Sequence, residues 1–162
     1  MNTQTNLFIV DSDTRAATGL EQYLDNKFGN SLTISKFFTG ENCLEKIDSN
    51  TNLVILAYYL KGKNGNEILK AIKAINAQTE VIILSSNEDI AAAIDAFRMG
   101  AKDYVIKGAN GWRNVAAHVS KIVMYPVELI VNEFGVSKFL GIFVMALLGL
   151  VAVVLLSLKF MP

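Results

Sequence analysis

Residues 53–85, LVILAYYLKGKNGNEILKAIKAINAQTEVIILS, decide the fold. Two short runs in this stretch, 53–56 and 81–84, are continuously apolar rather than alternating, which is typical of strands covered on both faces of a parallel sheet. The residues between them predict a helix over Asn66–Asn76, bounded by turn-forming residues. The stretch therefore predicts a strand, a helix and a second strand, which is the repeating unit of α/β proteins.

The same alternation of strands and helices extends in both directions, from residue 7 to residue 124. The five predicted strands are Leu7–Val10, Leu32–Phe37, Leu53–Leu56, Val81–Leu84 and Tyr104–Ile106. The other predicted helices are Thr14–Lys27, Gly40–Asp48, Glu88–Met99 and Gly111–Met124. Short strands that alternate with helices indicate one domain over residues 1–124, a five-stranded parallel sheet with helices on both sides.

The last two helices have apolar stripes that predict how each one packs. In the fourth, Ile90, Ile94 and Phe97 fall at helical spacing, so we expect this stripe to face the sheet while alanines 91–93 form a shallow outer surface. In the fifth, we expect the apolar residues to face inward and the polar ones to be solvated. The apolar set is Val115, Val119, Ile122 and Val123, and the polar set is Arg113, His118 and Lys121.

The segment Phe139–Leu158, FLGIFVMALLGLVAVVLLSL, contains no charged residue. Its 20 residues, at about 1.5 Å each, would span about 30 Å, the thickness of the hydrocarbon core of a bilayer. Lys138 and Lys159 bracket it, as expected for ends that lie at the membrane interfaces. We predict a transmembrane helix over 138–159 with a short tail, 160–162; the alternative, a buried core helix, is seldom apolar all round.

Between the domain and the predicted span, residues 125–137 form a juxtamembrane segment. Pro126 is expected to interrupt the preceding helix, because its ring removes a hydrogen bond and clashes with the previous turn. A new amphipathic helix, Val127–Phe134, would then lie on the membrane or against a partner, or serve only as a spacer. The N-terminal residues do not resemble a signal peptide, so we expect the domain to stay in the cytoplasm.

Composition excludes several classes of function. The 15 basic and 15 acidic residues give a net charge of zero without a basic run, which argues against nucleic acid as a partner. The single Cys43 cannot form an internal disulfide or a cysteine metal site, and we expect it to be a buried apolar side chain. No nucleophile has an adjacent base and no glycine-rich phosphate loop is present, so we expect neither an enzyme nor a cofactor.

Most of the residues that follow the carboxyl ends of the predicted strands, where ligands bind in a doubly wound sheet, are polar. They are Asp11, Ser12 and Asp13 after the first strand, Ala57 and Tyr58 after the third, Ser85 after the fourth and Lys107 after the fifth. Carboxylates, a hydroxyl and an ammonium at one edge suit a phosphoryl group and a divalent cation.

Four motifs in this order resemble the receiver domain of bacterial two-component response regulators. LFIVDSD at 7–13 resembles the acidic first-strand motif, and NLVILAYYLKGKNGNEILKAIK at 52–73 resembles the acceptor strand with its loop. VIILSS at 81–86 resembles the switch-hydroxyl strand, and GAKDYVIKG at 100–108 resembles the terminal lysine motif. The resemblance covers residues 6 to about 124 and implies a flavodoxin-like fold, with a five-stranded parallel doubly wound sheet.

The resemblance also implies roles for single residues. Lys107 matches the lysine that contacts the phosphoryl group, Ser85 the switch hydroxyl, and Tyr104 the aromatic residue whose rotamer reports activation. Asp11 matches the first of the paired acids and is expected to pair with Lys107.

The chain departs from the family pattern at the positions that react. Ser12 stands where the family has the acid that binds the metal, and Ala57 stands where it has the aspartate that is phosphorylated. Lys61 and Gly62 replace the usual proline turn, and Gly108 replaces the proline after the lysine. We therefore expect a vestigial site, with no functional metal and no phosphorylation at Ala57.

These observations predict a membrane-anchored pseudo-receiver, meaning a receiver fold without phosphate control, that binds proteins at the cytoplasmic face of a bacterial inner membrane. Family analogy selects the surface of the fourth helix, fifth strand and fifth helix, including Ala92, Phe97, Tyr104 and Lys107. We expect protein partners at the membrane, lipid contact through the single-pass helix, and a homo- or hetero-oligomer.

Two alternatives remain open. The chain could be a stoichiometric subunit of a transport, secretion or motility complex, whose span packs on other helices through Gly141, Gly149 and Ser157. It could also be an ordinary phosphorylated receiver in which the alanine at 57 was engineered.

Overall fold

A computed structural model of the chain describes residues 4–108, 110–133 and 147, with only the backbone described for 124–133. The strands are β1 (Thr5–Val10), β2 (Leu32–Phe37), β3 (Thr51–Ala57), β4 (Glu80–Ser85) and β5 (Asp103–Ile106). The α-helices are α1 (Thr14–Phe28), α2 (Gly40–Leu44), α3 (Gly65–Ile75), α4 (Ile90–Arg98) and α5 (Gly111–Glu133), and a 3₁₀ turn, Gly29–Ser31, follows α1.

The five strands form one parallel sheet in the order β2-β1-β3-β4-β5. Buried side chains of α1 and α5 pack with one face of this sheet, and those of α2, α3 and α4 pack with the other. The predicted doubly wound, flavodoxin-like sheet is confirmed. Because the connections leave β1 and β3 in opposite directions, their carboxyl ends border the crevice in which such folds bind ligands.

Helix α2 is shorter than predicted and ends at Leu44 rather than at Asp48. The carboxylate of Asp48 accepts the backbone N–H of Asn50 at 2.9 Å and the hydroxyl of Thr51 at 3.0 Å. An aspartate that binds the following backbone in this way favours a turn over a further helical residue. Cys43 is fully buried as predicted, and burial raises the pKa of its thiol to about 12.

The predicted packing of α4 is wrong. Ile90, Ile94 and Phe97 were expected to face the sheet, but they are 77%, 46% and 49% exposed. Ala92 and Ala96 are buried instead, so α4 meets the sheet through methyl groups. Their small size allows close approach of the helix backbone, while periodicity alone does not say which of two stripes is covered.

The inward face of α5 is confirmed, because Val115 and Val119 are fully buried and Ile122 and Val123 pack against the same core. His118, predicted to be solvated, is mostly buried, and its Nε2 lies 2.5 Å from a carboxylate oxygen of Asp103 on β5. The sequence pattern of α5 placed His118 on its polar face, but the packing of α5 against the sheet brings this residue to Asp103.

The predicted interruption at Pro126 is also wrong, because α5 continues through it to Glu133. Proline holds φ near −65°, a helical value, so a helix can pass through it with the loss of one hydrogen bond.

The predicted transmembrane segment lies outside the described residues, apart from Leu147. The same is true of Gly141, Gly149 and Ser157, for which close helix packing was predicted. Among the helices that are described, none combines the length and the apolar composition that crossing a bilayer requires.

Candidate functional site

The structure brings the predicted strand-end residues together at the carboxyl edge of the sheet. Val10 lies beside Leu56 in the β1–β3 pairing, and Ser85 lies beside Ile106 in the β4–β5 pairing. Asp11, Ala57 and Lys107 are at or directly after these positions. The strand-end positions predicted from the sequence therefore share one edge of the sheet, and the chemistry of this edge depends on the contacts made there.

The centre of the site is an ion pair between Lys107 and Asp11. The ammonium Nζ lies 2.5 Å from Asp11 Oδ2, and the side chains are 29% and 6% exposed, respectively. The other carboxylate oxygen of Asp11 accepts the backbone N–H of Asp13 at 3.0 Å. The pairing expected from the sequence is present, and both oxygens of the buried carboxylate have donors.

Asp13 caps the N-terminus of α1 and is exposed to solvent. Its Oδ1 accepts the backbone N–H groups of Arg15 at 2.9 Å and Ala16 at 3.2 Å. Hydrogen bonds from these two N–H groups, that of Ala16 first, hold the pKa of the Asp13 carboxyl below its usual value. The carboxylate is therefore used in starting the helix.

Ala57 ends the central strand β3 and is 1% exposed. Helix α3 begins almost against this strand end, because the backbone N–H of Gly65 donates to the carbonyl of Tyr58 at 2.6 Å. A Cβ on Gly65 would lie 2.8 Å from Tyr58 Cα and 2.9 Å from the carbonyl oxygen of Ala57. Only glycine allows the loop of residues 58–64 to close so tightly over the position of Ala57.

Ser85 is buried and its hydroxyl is bound within its own loop. Oγ donates to the carbonyl of Asn87 at 3.0 Å and accepts the backbone N–H of Asn87 at 3.1 Å. The amide of Asn87 in turn lies 3.5 Å from the hydroxyl of Tyr59. Ser85 therefore stabilises the turn after β4.

Three tyrosines line the surface beside Ala57. Tyr58 contacts Tyr59 edge to face at 4.9 Å between ring centroids and lies 6.2 Å from the ring of Tyr104. Burial, together with the neighbouring Tyr104, raises the pKa of Tyr58. The hydroxyl of Tyr104 is buried and has no hydrogen-bond partner among the described residues. Tyr58 and Tyr104 pack against the core, whereas Tyr59 is exposed.

The family model for the response regulator receiver domain matches residues 7–117. The chain belongs to this family. Its receiver domain is 34% identical over 102 residues to the DNA-binding transcriptional regulator NtrC of Escherichia coli, and 31% identical over 104 residues to the transcriptional regulatory protein MalR of Bacillus subtilis. These matches cover 62% and 63% of this chain but only 21% and 43% of the relatives. The chain thus spans less than half the length of these relatives.

Solved structures agree with the receiver fold. The response regulator DrrB of Thermotoga maritima superposes with a TM-score of 0.62 at 25% identity, over 76% of this chain and 54% of that one. The signal receiver domain of a LuxO repressor protein of Vibrio parahaemolyticus gives 0.67 at 23% identity, over 78% and 94%. The second likeness supports the fold alone.

Receiver domains of the family are expected to bind Mg²⁺ at this edge, but the residues present here do not fit the ion. Mg²⁺ requires oxygen ligands in near-octahedral arrangement. Position 57 offers a methyl group, position 12 offers a serine hydroxyl, and the Asp11 carboxylate is paired with Lys107. Oδ1 of Asp13 already accepts two backbone N–H groups, those of Arg15 and Ala16. The described residues at this edge therefore do not supply the set of oxygen ligands that Mg²⁺ requires.

The predicted interaction surface of the receiver domain is only partly exposed. Phe97 is open to solvent and Tyr104 and Lys107 are half-buried, but Ala92 is 6% exposed and does not belong to an accessible face. Sequence reasoning missed Ile90 and Ile94, which lie on the exposed side of α4. No pattern in the sequence ranks this side against the stripe of Ala92 and Ala96, because both stripes fall at helical spacing.

Proposed function

We propose that this receiver domain is a phosphorylation-independent protein-interaction module, held at the cytoplasmic face of a bacterial inner membrane by a C-terminal span over 138–159. The observation that carries the proposal is Ala57 at the buried end of β3. A methyl group has no lone pair with which to attack a phosphoryl donor. Of the two other carboxylates described at this edge, that of Asp11 is engaged with Lys107 and that of Asp13 caps α1.

The Asp11–Lys107 pair supports independence from phosphate in a second way. In this structure the cation that would receive a phosphoryl group already has a carboxylate partner at 2.5 Å. An incoming anion would have to displace a buried charge from its counter-ion, which is costly at low exposure. The pair therefore favours one conformation of the site without any ligand, and we propose no enzymatic activity for it.

We propose that the partner binds the outer stripe of α4, formed by Ile90, Ile94 and Phe97. Three apolar side chains at spacings of four and three residues, each at least 46% exposed, are the arrangement on which an amphipathic helix packs. The acidic residues Glu88, Asp89 and Asp95 flank the stripe, with Arg98 as the only base within α4. We infer that the partner presents a helix with an apolar stripe and basic flanks.

A phosphotransfer experiment tests the first part. The full chain is incubated with radiolabelled acetyl phosphate and Mg²⁺, and we expect no base-labile label. Label on the native chain would contradict the proposal. Stoichiometric label on an Ala57→Asp variant would instead favour an ordinary receiver with an engineered alanine.

A crosslinking experiment tests the second part. The tagged full chain is crosslinked in its native membrane, and its partners are compared with those of an Ile94→Glu variant. Ile75→Glu is the matched control, because Ile75 is an isoleucine of similar exposure that lies at the end of α3. We expect Ile94→Glu to lower recovery of one partner by about tenfold, a loss of about 1.4 kcal/mol. Equal recovery in the two variants would refute this surface.

Alkaline extraction of membranes tests the span, and release of the chain into the soluble fraction would refute it. A fusion of residues 138–159 to an unrelated soluble domain distinguishes the alternative function. If the fusion recovers the same partner, the span rather than α4 makes the contact, as in a subunit of a larger membrane complex.

A further inference from the structure

A groove of about 420 Å³ lies between α1 and α5, and its walls are Tyr23, Gly108, Trp112 and Arg113. These helices pack on the opposite face of the sheet from α4. The groove therefore lies apart from the interaction stripe proposed above.

Two glycines give the groove its shape. The ring of Trp112 lies directly on Gly19 of α1, where an added Cβ would approach the ring to 2.7 Å. Gly108, which also lines the groove, contributes no side chain to its wall. Any larger residue at position 19 would push the indole away from α1. The wall of the groove thus depends on this glycine.

The groove has an aromatic surface that solvent reaches. Trp112 is 37% exposed, and its ring lies 5.7 Å from the ring of Tyr23 with an angle of 43° between the planes. Two tilted rings at this distance form a corner against which a third ring can stack or pack edge to face. An exposed tryptophan in a concave surface has more apolar area to offer a ligand than any other side chain.

The charge at the rim is positive. Arg113 is exposed and makes no ion pair with any residue that the structure describes. A guanidinium binds a carboxylate through two parallel hydrogen bonds, which orients a flat ligand. Aromatic rings alone would also attract a cation. The arginine beside them disfavours a cation and selects an anion.

We propose that this groove is a binding site for a small aromatic carboxylate, whose ring packs on Trp112 and Tyr23 while its carboxylate pairs with Arg113. The site would let the receiver domain respond to a small molecule through α1 and α5, independently of any partner on α4.

The test uses the full chain in lipid nanodiscs, labelled with 5-fluorotryptophan. Trp112 is the only tryptophan, so fluorine NMR gives one signal that reports on the groove. The probe is 2-naphthoate, and 2-naphthamide is the neutral probe of matched shape. We expect a saturable shift with naphthoate at a Kd of roughly 1 mM, as for a ligand of fragment size. The amide should bind at least about fivefold more weakly, because it lacks the charge that pairs with Arg113.

Arg113→Gln should weaken naphthoate binding by about tenfold and leave the amide unchanged, since it removes only the charge-assisted hydrogen bonds. Lys70→Gln, which removes an exposed cation of α3 on the other face of the sheet, is the control and should change neither affinity by more than about twofold. Because both substituted residues are exposed, the unliganded fluorine signal verifies that the variants fold. A shift that rises linearly without saturation, or equal affinities for naphthoate in native and Arg113→Gln chains, would overturn the proposal.

Discussion

Replacing Lys107 by methionine should destabilise the receiver domain more than replacing its partner Asp11 by asparagine. Lys107→Met leaves the Asp11 carboxylate, whose side chain is 6% exposed, with the N–H of Asp13 but no counter-charge. An uncompensated buried charge costs about 3 kcal/mol. Asp11→Asn leaves a lysine that is 29% exposed and can be hydrated, so this change should cost only about 1 to 2 kcal/mol.

The double variant removes both charges and should cost about 2 kcal/mol, because no charge remains buried without a partner. The coupling energy between Asp11 and Lys107 is then about 2 to 3 kcal/mol, well above the 0.2 to 1 kcal/mol of an exposed ion pair. Such differences are measurable against a total stability of about 5 to 15 kcal/mol.

The assay is urea denaturation of the native chain, the two single variants and the double variant. Unfolding is monitored by the fluorescence of Trp112, a residue of α5 that packs against α1. Lys36→Met is the matched control. Lys36 pairs with Glu21, whose side chain is 29% exposed, so losing this lysine should cost no more than about 1 kcal/mol. A coupling below about 0.5 kcal/mol, or equal losses for Lys107→Met and Lys36→Met, would refute the argument that burial makes this pair strong.

Three further predictions follow from packing. Ala96→Leu should lower the free energy of unfolding, measured in urea, by about 2 kcal/mol, because the larger side chain overfills the contact of α4 with the sheet. Ala91→Leu, on the exposed side of α4, should change it by no more than about 0.5 kcal/mol. Equal losses for the two variants would contradict the packing described. Gly65→Ala should lower the thermal midpoint more than Gly62→Ala. A Cβ at position 65 would clash with backbone atoms, whereas a Cβ at position 62 meets no atom and is disfavoured only by the φ of 95°. A larger loss for Gly62→Ala would contradict this account. Native Cys43 should react with a disulfide reagent at pH 8 only as fast as the domain unfolds. Immediate labelling would show that the thiol is accessible in the folded domain. Because the folded pKa of Cys43 is about 12 and its unfolded pKa is 9.0, the free energy of unfolding should also fall as the pH rises through this interval.

Sequence patterns were sufficient for the strands because a buried parallel strand needs a continuous apolar run, and few other elements tolerate one. The runs at 53–56 and 81–84 predicted both central strands to within two residues at either end. The positions of Asp11, Ala57 and Lys107 followed from the same patterns, since the carboxyl ends of parallel strands meet at one edge.

The helices were harder to orient than to find. A helix such as α4 with apolar residues on one stripe and alanines on another has two faces that could cover a sheet, and local periodicity does not rank them. The choice depends on how close the helix axis can come to the sheet, which is a property of both elements. The contact of His118 with Asp103 was missed for a similar reason, because it joins a helix to a strand.

By itself, the amino-acid sequence determined the order of strands and helices, the family, and the absence of a carboxylate at position 57, since each depends on residue identity or on neighbours along the chain. Only the tertiary structure decided that Lys107 reaches Asp11, 96 residues away, that α4 presents isoleucines to solvent, and that Trp112 lies on Gly19. The physical reason is that burial and ion pairing depend on distances in space, which chain spacing sets only within a single element.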